Sequence, residues 1–188
     1  MKTSKYWKEF SAIAVSVVLI LLPLLSGCAH VNNNDLITSG YGMADQLLNQ
    51  VFPPLSFDRP LLVTTFADID NLNESSTFGR TVAEIVASRF TLRGYKVIEM
   101  KLRNDVYIRE KNGEFILSRD VKNISIQHNA QAVIAGTYAV GSNAVYVKAN
   151  IIDPVTGVVR ATYNLKLHMN SDYNKMLNLS TQSRHVNP

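Results

Sequence analysis

Cysteine is almost absent from this chain, because among its 188 residues only Cys28 carries a thiol. A single thiol excludes a disulfide within the chain and a metal site built on several thiolates. We therefore expect packing of apolar side chains alone to hold the fold together. A lone cysteine in an exported protein also needs an explanation of its own.

The chain also lacks an apolar run long enough to cross a bilayer as a mature helix. Residues 12–25 are apolar at all positions except Ser16 and Pro23, whereas a spanning helix needs about 20 apolar residues. Neither sign of charge dominates. Removing residues 1–27 takes away three of the 19 basic residues and one of the 15 acidic ones, which leaves a net charge of +2. This balance predicts no nucleic-acid partner.

The apolar run has the features of a bacterial lipoprotein signal. Three lysines precede it, and the sequence Leu25-Ser26-Gly27-Cys28 closes it. A basic start, a short hydrophobic region and small residues at the cleavage point are typical of signal peptides. The order Leu, small, small, Cys resembles the lipobox, in which the cysteine is alkylated by a diacylglyceryl group. We predict that residues 1–27 are removed and that Cys28 is lipidated. The alternatives are a plain secretory signal or an uncleaved N-terminal anchor, with Cys28 incidental.

The residues after Cys28 indicate how the mature chain is organised. Ala29 follows the cysteine. By resemblance to enterobacterial sorting, in which Asp at that position retains a lipoprotein in the inner membrane, Ala29 implies the outer membrane. Residues 28–35 are polar and rich in Asn, which predicts a lipid-anchored tether. We expect one domain over residues 36–177 and a polar, disordered tail over residues 178–188.

Hydrophobic periodicity predicts the first half of this domain. Asp35 is a candidate cap for an amphipathic helix that ends before Pro53. The residues of its apolar stripe are Ile37, Tyr41, Ala44, Leu47, Leu48 and Val51. Residues 61–67 form a short apolar run typical of a buried strand. A second helix follows, capped within residues 75–77 and ended near Gly94. Residues 95–100 predict the next strand. We expect the side chains that face the core on this second helix to be Phe78, Val82, Ile85, Val86 and Phe90.

The second half of the domain predicts mainly antiparallel strands. Residues 106–110 and 115–118 flank an Asn-Gly turn, which is a strong hairpin signal. Ser118 is a candidate cap for another helix, and residues 131–139 indicate a buried strand. Two alternating stretches around residues 145–151 and 159–167 follow. The predicted fold class is α/β with α+β character: a mixed β-sheet, a C-terminal antiparallel meander and two to three packed helices.

One loop concentrates polar side chains that could bind a ligand or a partner. Asp68, Asp70, Asn71, Asn73 and Glu74 fall within seven residues before the second helix. They invite a calcium interpretation, but the spacing fails the EF-hand pattern, which requires Gly at its sixth position and Glu at its twelfth. Turns and helix caps use the same residue types. We therefore predict a partner-binding loop here and no metal site.

Four stretches resemble the FlgO-type flagellar outer-membrane lipoprotein family. They are residues 65–80 (TFADIDNLNESSTFGR), 107–119 with its GEFILSR, 128–138 (HNAQAVIAGTY) and 151–157 (IIDPVTG). The resemblance runs from about residue 36 to residue 177. It implies a small periplasmic α/β domain behind a lipobox, in proteins that support flagellar motility in Gram-negative bacteria. It implies no catalytic residue.

These observations together predict a non-enzymatic outer-membrane lipoprotein with its domain in the periplasm. No Ser/His/Asp arrangement or carboxylate pair stands out, and the four histidines show no ligand spacing. We expect no cofactor and no small-molecule substrate. The partners that the resemblance implies are flagellar basal-body or outer-membrane ring proteins. The alternative is an envelope lipoprotein that regulates a cell-wall enzyme, such as a peptidoglycan synthase, by docking on it.

Overall fold

The computed structural model describes residues 35–72, 75–100, 107–109 and 115–178, which lie in one compact unit. The helices are α1 (Leu36–Gln50), α2 (Thr77–Leu92), α3 (Arg119–Gln127) and α4 (Ser171–Met176). The strands are β1 (Leu61–Thr64), β2 (Ala67–Asp68), β3 (Val97–Met100), β4 (Tyr107–Arg109), β5 (Phe115–Leu117), β6 (Ala132–Val140), β7 (Ala144–Ile152) and β8 (Val159–His168).

A mixed sheet of six strands forms the centre of the domain. Its order is β3-β1-β6-β7-β8, and β2 pairs with β6 beyond the end of β1. The pairs β1–β3, β1–β6 and β2–β6 are parallel, whereas β6–β7 and β7–β8 are antiparallel. Strands β4 and β5 form a separate antiparallel hairpin, whose Asn-Gly turn lies outside the described residues. The predicted mixed sheet with a C-terminal meander is confirmed.

The two faces of the sheet bury different helices. The main core cluster joins α1, α2 and α4 to the alternate strand residues that include Val63, Ile134 and Val147. A second cluster on the opposite face joins α3 to Leu62 and Val133. Successive strand residues point to opposite faces, which is why neighbours such as Leu62 and Val63 belong to different clusters. The antiparallel strands extend beyond the area that α3 covers.

The predicted strand over residues 61–67 is wrong in one respect, because it is broken. Strand β1 ends at Thr64, and pairing resumes only at Ala67. At the break, the Phe66 backbone N–H donates to the carbonyl of Gly79 (3.3 Å) instead of joining the ladder. The fully buried Phe66 ring lies over Gly136, where a Cβ would overlap it.

Helix α1 turns most of its predicted apolar stripe toward the core, and the prediction is wrong for Ile37. Met43, Ala44 and Leu47 are fully buried, while Ile37 is 54% exposed. The helix also approaches α2 closely at Gly40, where a Cβ would lie 2.6 Å from the Cγ2 atom of Ile85. This glycine therefore permits the helix contact.

The same contact corrects the prediction for Ile85. Its side chain is half-buried against Gly40 of α1, whereas the other four residues expected on that face are buried in the main cluster. A helix that packs on both a sheet and a neighbouring helix buries a wider stripe than one that packs on a sheet alone. Ile85 lies on the side toward the helix.

The helix boundaries follow the capping signals. Asp35, Ser76 and Ser118 are N-caps, and each side chain accepts a hydrogen bond from a backbone N–H three residues on. Gly94 has φ 89°, the left-handed conformation expected just beyond a helix end. Helix α4 was not predicted. Its cap is Asn170, whose side chain accepts from the Tyr173 N–H at 2.8 Å.

One ion-pair cluster ties α1 to α2. The Asp45 carboxylate accepts from Arg89 at 2.7 and 3.0 Å and from Arg93 at 2.9 Å. The hydrogen bonds from Arg89 are the main cause that holds the pKa of Asp45 below its ordinary 3.8. A depressed carboxyl pKa stabilises the fold above the unfolded value and loses that contribution as the pH falls through the folded value.

Asp45→Asn is therefore expected to lower the free energy of unfolding by about 1 kcal/mol at pH 7. The difference from the wild type should shrink as the pH falls below about 4, where the unfolded carboxylate binds a proton before the folded one does, and it should vanish below the lowered pKa of the folded state. Urea unfolding at pH 7 and pH 3 measures both quantities. The exposed Asp58→Asn is the control and should change the free energy by less than about 0.5 kcal/mol. An equal loss for Asp45→Asn at both pH values would contradict the assignment.

Candidate functional site

The predicted partner-binding loop connects β2 to α2 at the end of the sheet where the parallel strands finish. Asp68 is half-buried and ends β2, and its Oδ1 accepts from the Asp70 backbone N–H at 2.9 Å. Asp70 and Asn71 are exposed. Asn73 and Glu74 lie outside the described residues. Asp68 and Asp70 are thus brought together in a local turn, with Asn71 beside them in the chain.

The base of this loop is fastened to the sheet. The Ile69 backbone N–H donates to the carbonyl of Tyr138 (2.9 Å), and the Ser76 N–H donates to the Tyr138 hydroxyl (3.3 Å). The Ser75 hydroxyl donates to the carbonyl of Phe66 (3.1 Å). Gly79 allows this packing, since a Cβ there would overlap the Phe66 carbonyl oxygen. The loop therefore projects from a fixed base, the arrangement that recognition loops usually have.

A small cavity of about 170 Å³ lies next to the loop. It is lined by Val63, Thr64, Thr65, Arg80, Ala83, Glu84, Glu99 and Met100. After β1 the chain passes through α2 on one face of the sheet, and after β3 it passes through α3 on the opposite face. Open sheets bind ligands in the crevice at such a point. The guanidinium of Arg80, however, already donates to the Ser75 carbonyl (2.7 Å) and the Thr77 hydroxyl (3.0 Å).

A larger groove of about 410 Å³ occupies the part of the sheet face that α3 leaves open. Its lining includes Ile69 of the loop together with Tyr146, Lys148, Asn164 and Lys166. The ammonium of Lys166 lies 5.8 Å from the centroid of the Tyr146 ring. Among the residues that the structure describes, no Asp or Glu lines this groove. The acidic loop and the basic groove therefore meet at Ile69, which gives a surface of mixed charge suited to contact with a protein.

The two cavities were not part of the sequence prediction. The alternation in β7 and β8 marked Tyr146, Lys148, Asn164 and Lys166 as solvent-facing, which is confirmed. That pattern could not show that these side chains share one groove with the loop. The cavity of about 170 Å³ could have been predicted from the strand–helix–strand pattern of residues 61–100, because the ends of adjacent parallel strands form a crevice.

The acidic side chains do not form a metal site within the part of the chain that the structure describes. In residues 35–72, 75–100, 107–109 and 115–178, no three His, Cys, Asp or Glu side chains are close enough together to hold a metal ion. Two members of the acidic loop, Asn73 and Glu74, fall outside that set, so the expectation of no metal there stays a prediction. None of the helices in the described part of the chain is both long and apolar enough to cross a membrane.

Comparison with known families places the chain. The family model described as FlgO protein matches residues 41–172. The chain belongs to the FlgO family. The match includes all four stretches on which the resemblance rested, together with the acidic loop and the basic groove, so the predicted family is confirmed. No curated protein matches this FlgO-family chain.

Solved structures show the same fold. The C-terminal domain of LpoB from Salmonella enterica superposes with a TM-score of 0.53 at 12% identity, covering 72% of this chain and 99% of that one. The C-terminal domain of LpoB from Escherichia coli gives 0.50 at 12% identity, with the same coverage of 72% and 99%. At this identity the likeness concerns the fold alone. The family match supports an envelope lipoprotein as the general class of this protein.

Proposed function

We propose that this FlgO-family chain is a non-enzymatic outer-membrane lipoprotein that supports flagellar assembly or stability, and thereby motility, by binding proteins in the periplasm. The observation that carries the proposal is the family match over residues 41–172. The proposed partners are flagellar basal-body or outer-membrane ring proteins. No cofactor, nucleic acid or small-molecule substrate forms part of the proposal.

The lipobox supports the location. A diacylglyceryl group and a further acyl chain on Cys28 would together hold the protein at a membrane, since one chain alone gives only marginal binding. Anchoring confines the domain to a thin layer beside the membrane. There a partner is met at high effective concentration, so modest affinity is sufficient. Ala29 favours the outer membrane as the site of anchoring.

The surface around the acidic loop is the proposed contact for that partner. Asp68, Asp70 and Asn71, with Asn73 and Glu74 after them, supply acceptors, and Lys148 and Lys166 of the adjoining groove supply donors. Such a surface favours a partner with both charges, because complementary potentials steer association and select the orientation.

Deletion of the gene is expected to impair swimming while growth and cell shape stay normal. A version of the domain exported without Cys28 should restore swimming poorly even when it is abundant, because it loses the anchored concentration. Spreading on soft agar and flagella counted by microscopy measure the outcome.

The same strain tests the alternative, regulation of a cell-wall enzyme by a docked lipoprotein. The alternative requires an anchored, protein-binding domain just as the flagellar proposal does. The two differ in what fails after deletion. Bulging or lysing cells that swim normally would reject the flagellar role and favour the cell-wall role.

A further inference from the structure

Exposed apolar side chains are concentrated at the end of the sheet opposite the acidic loop. Of the ten large hydrophobic residues that are exposed in the described residues, seven lie where the parallel strands begin. We call these seven the apolar end. They are Phe52, Phe57, Leu92, Ile126, Val155, Val158 and Val159. Single exposed apolar residues are common on protein surfaces, but a concentration at one place marks an interaction site.

Two of these residues, Phe52 and Phe57, stand on the segment 51–60, which is firmly held. The carboxamide of the largely buried Gln131 makes three hydrogen bonds to this segment. Its Oε1 accepts from the Ser56 N–H at 2.7 Å, and its Nε2 donates to the carbonyls of Ser56 (2.6 Å) and Arg59 (2.5 Å). A single side chain thus fixes the middle of the segment to the start of β6.

Other parts of the fold hold the remainder of segment 51–60. The guanidinium of Arg160, at the start of β8, donates to the carbonyl of Pro53. The Lys96 ammonium donates to the carbonyl of Asp58 at 3.0 Å. Val51 and Leu55 are buried in the main core, with 6% and 5% of their surfaces exposed. The segment is therefore anchored at several points along its length.

Although the backbone of segment 51–60 is anchored, Phe52 and Phe57 on this segment are exposed to solvent. The Phe52 side chain is 83% exposed and the Phe57 side chain 57% exposed. Phe57 stacks on Tyr95 with ring centroids 4.6 Å apart, which holds its orientation while leaving the other ring face open. An aromatic side chain that is held in place before binding, as Phe57 is, loses little entropy on contact.

We infer that the apolar end is a second docking surface and that its occupant is a periplasmic protein with apolar pockets for Phe52 and Phe57. The position of the tether favours a protein over the bilayer. The tether joins the domain at Asp35, where α1 begins, and Asp35 lies near Tyr173 at the end of the domain opposite the apolar end. Burial is the main cause of the raised pKa of Tyr173, and the nearby charge of Asp35 is the second. This step rests on the proposed lipid at Cys28.

Chain length then limits what the apolar end can reach. Helix α1 has 15 residues and runs from Asp35 to segment 51–60, a length of about 22 Å. The seven residues 29–35 that follow Cys28 span at most about 24 Å when fully extended. A domain that stands upright on this tether holds the apolar end away from the anchoring bilayer, and Phe52 would meet the bilayer only if the domain lay on its side. A partner farther from the membrane meets no such restriction.

Charge adds a second feature of the partner. The guanidinium of Arg59 donates to the carbonyls of Asn129 (3.4 Å) and Ala130 (3.2 Å), and Lys96 donates to that of Asp58. Carbonyl oxygens do not neutralise these charges, and within the described residues the ion pairs found all involve Asp45. The cations Arg59, Lys96 and Arg160 outnumber the carboxylates Asp58 and Asp153 at this end, so the apolar pockets of the partner should have an acidic border.

A photo-crosslinker at position 52 tests the inference in the full, lipid-anchored chain in living cells. We expect p-benzoylphenylalanine at position 52 to give one discrete adduct with a periplasmic protein, which mass spectrometry identifies. The same crosslinker at Ile37, which is 54% exposed at the start of α1 and outside both proposed surfaces, is the matched control and should not give that adduct. The captured protein, once purified, should bind a Phe52→Ser/Phe57→Ser double variant about tenfold or more weakly than the wild type.

Other occupants give results that overturn the inference. An adduct of twice the chain mass identifies a second copy, and an adduct with lipid alone identifies the bilayer. Equal capture from positions 52 and 37, or unchanged binding by the double variant, rejects a specific surface at the apolar end. Both phenylalanines are exposed, so thermal unfolding close to that of the wild type verifies that the variant is folded. If the deletion strain swims normally while the crosslinker-bearing chain still forms the adduct, the flagellar role is rejected and the docking surface at the apolar end is retained.

Discussion

Val86→Asp is expected to abolish cooperative folding of the domain or to lower its melting temperature by more than about 10 °C. Val86 is fully buried on α2 within the main core cluster. A carboxylate at that position would be taken out of water among apolar side chains, with no hydrogen-bond partner provided. The cost is several kcal/mol, a large part of the roughly 5–15 kcal/mol by which domains are stable. Circular dichroism during heating and urea titration measures the loss.

Substitution by Asp at two other positions provides the controls. Lys148→Asp lies on the exposed face of β7 and should shift the melting temperature by only a few degrees. Ile85→Asp should be intermediate, because Ile85 is half-buried at the contact with Gly40 of α1. If Val86→Asp melts together with Lys148→Asp, Val86 does not face the core and the register of α2 is wrong. If Ile85→Asp is as damaging as Val86→Asp, Ile85 belongs to the core after all.

The parts of the fold that were predictable from the sequence depend on neighbours in the chain. The caps at Asp35, Ser76 and Ser118 act on N–H groups three residues away, so their signals are local. The antiparallel strands β7 and β8 alternate with period two because one face is packed and the other is open to solvent. Both kinds of signal survive without knowledge of the tertiary fold.

The errors arose where distant residues decide the local structure. The break between β1 and β2 depends on Gly79 and Gly136, which accommodate the Phe66 carbonyl and ring. The partial exposure of Ile85 depends on α1, through the contact between Ile85 and Gly40. Helix α4 has six residues, fewer than two turns, so no apolar period could reveal it. A single sequence read along the chain does not contain these pairings.

The candidate sites also differ in whether their residues are neighbours in the sequence or are brought together by the fold. The acidic loop was predictable because its residues are consecutive, whereas the basic groove combines side chains from β7 and β8 with Ile69 of the loop. Phe52 and Phe57 had no functional signal, since the prolines beside them indicated only the end of α1. Their importance depends on Gln131 and Arg160, which hold segment 51–60 from distant positions in the sequence.

Cys28→Ala is expected to abolish the lipid anchor, the largest effect predicted for function. The sulfur atom of Cys28 is the group that would be alkylated, and alanine offers no nucleophile in its place. The lipoprotein peptidase should then leave residues 1–27 attached, because it acts after lipid transfer. Mass spectrometry of the membrane fraction should show a mature, acylated N-terminus for the wild type and an unmodified precursor for the variant. An unmodified Cys28 thiol on mature wild-type protein would contradict the lipobox assignment.

Ala29→Asp supplies the matched control for the same experiment, because it changes the neighbouring residue and keeps the Cys28 thiol. The variant should be lipidated and processed like the wild type, with the same acyl mass at its N-terminus. In a density gradient it should move from the outer-membrane toward the inner-membrane fractions. Lipidation without this shift would leave the anchor intact and reject the sorting rule. Loss of lipid from Ala29→Asp would show that the residue after Cys28 takes part in processing itself, because the thiol is unchanged.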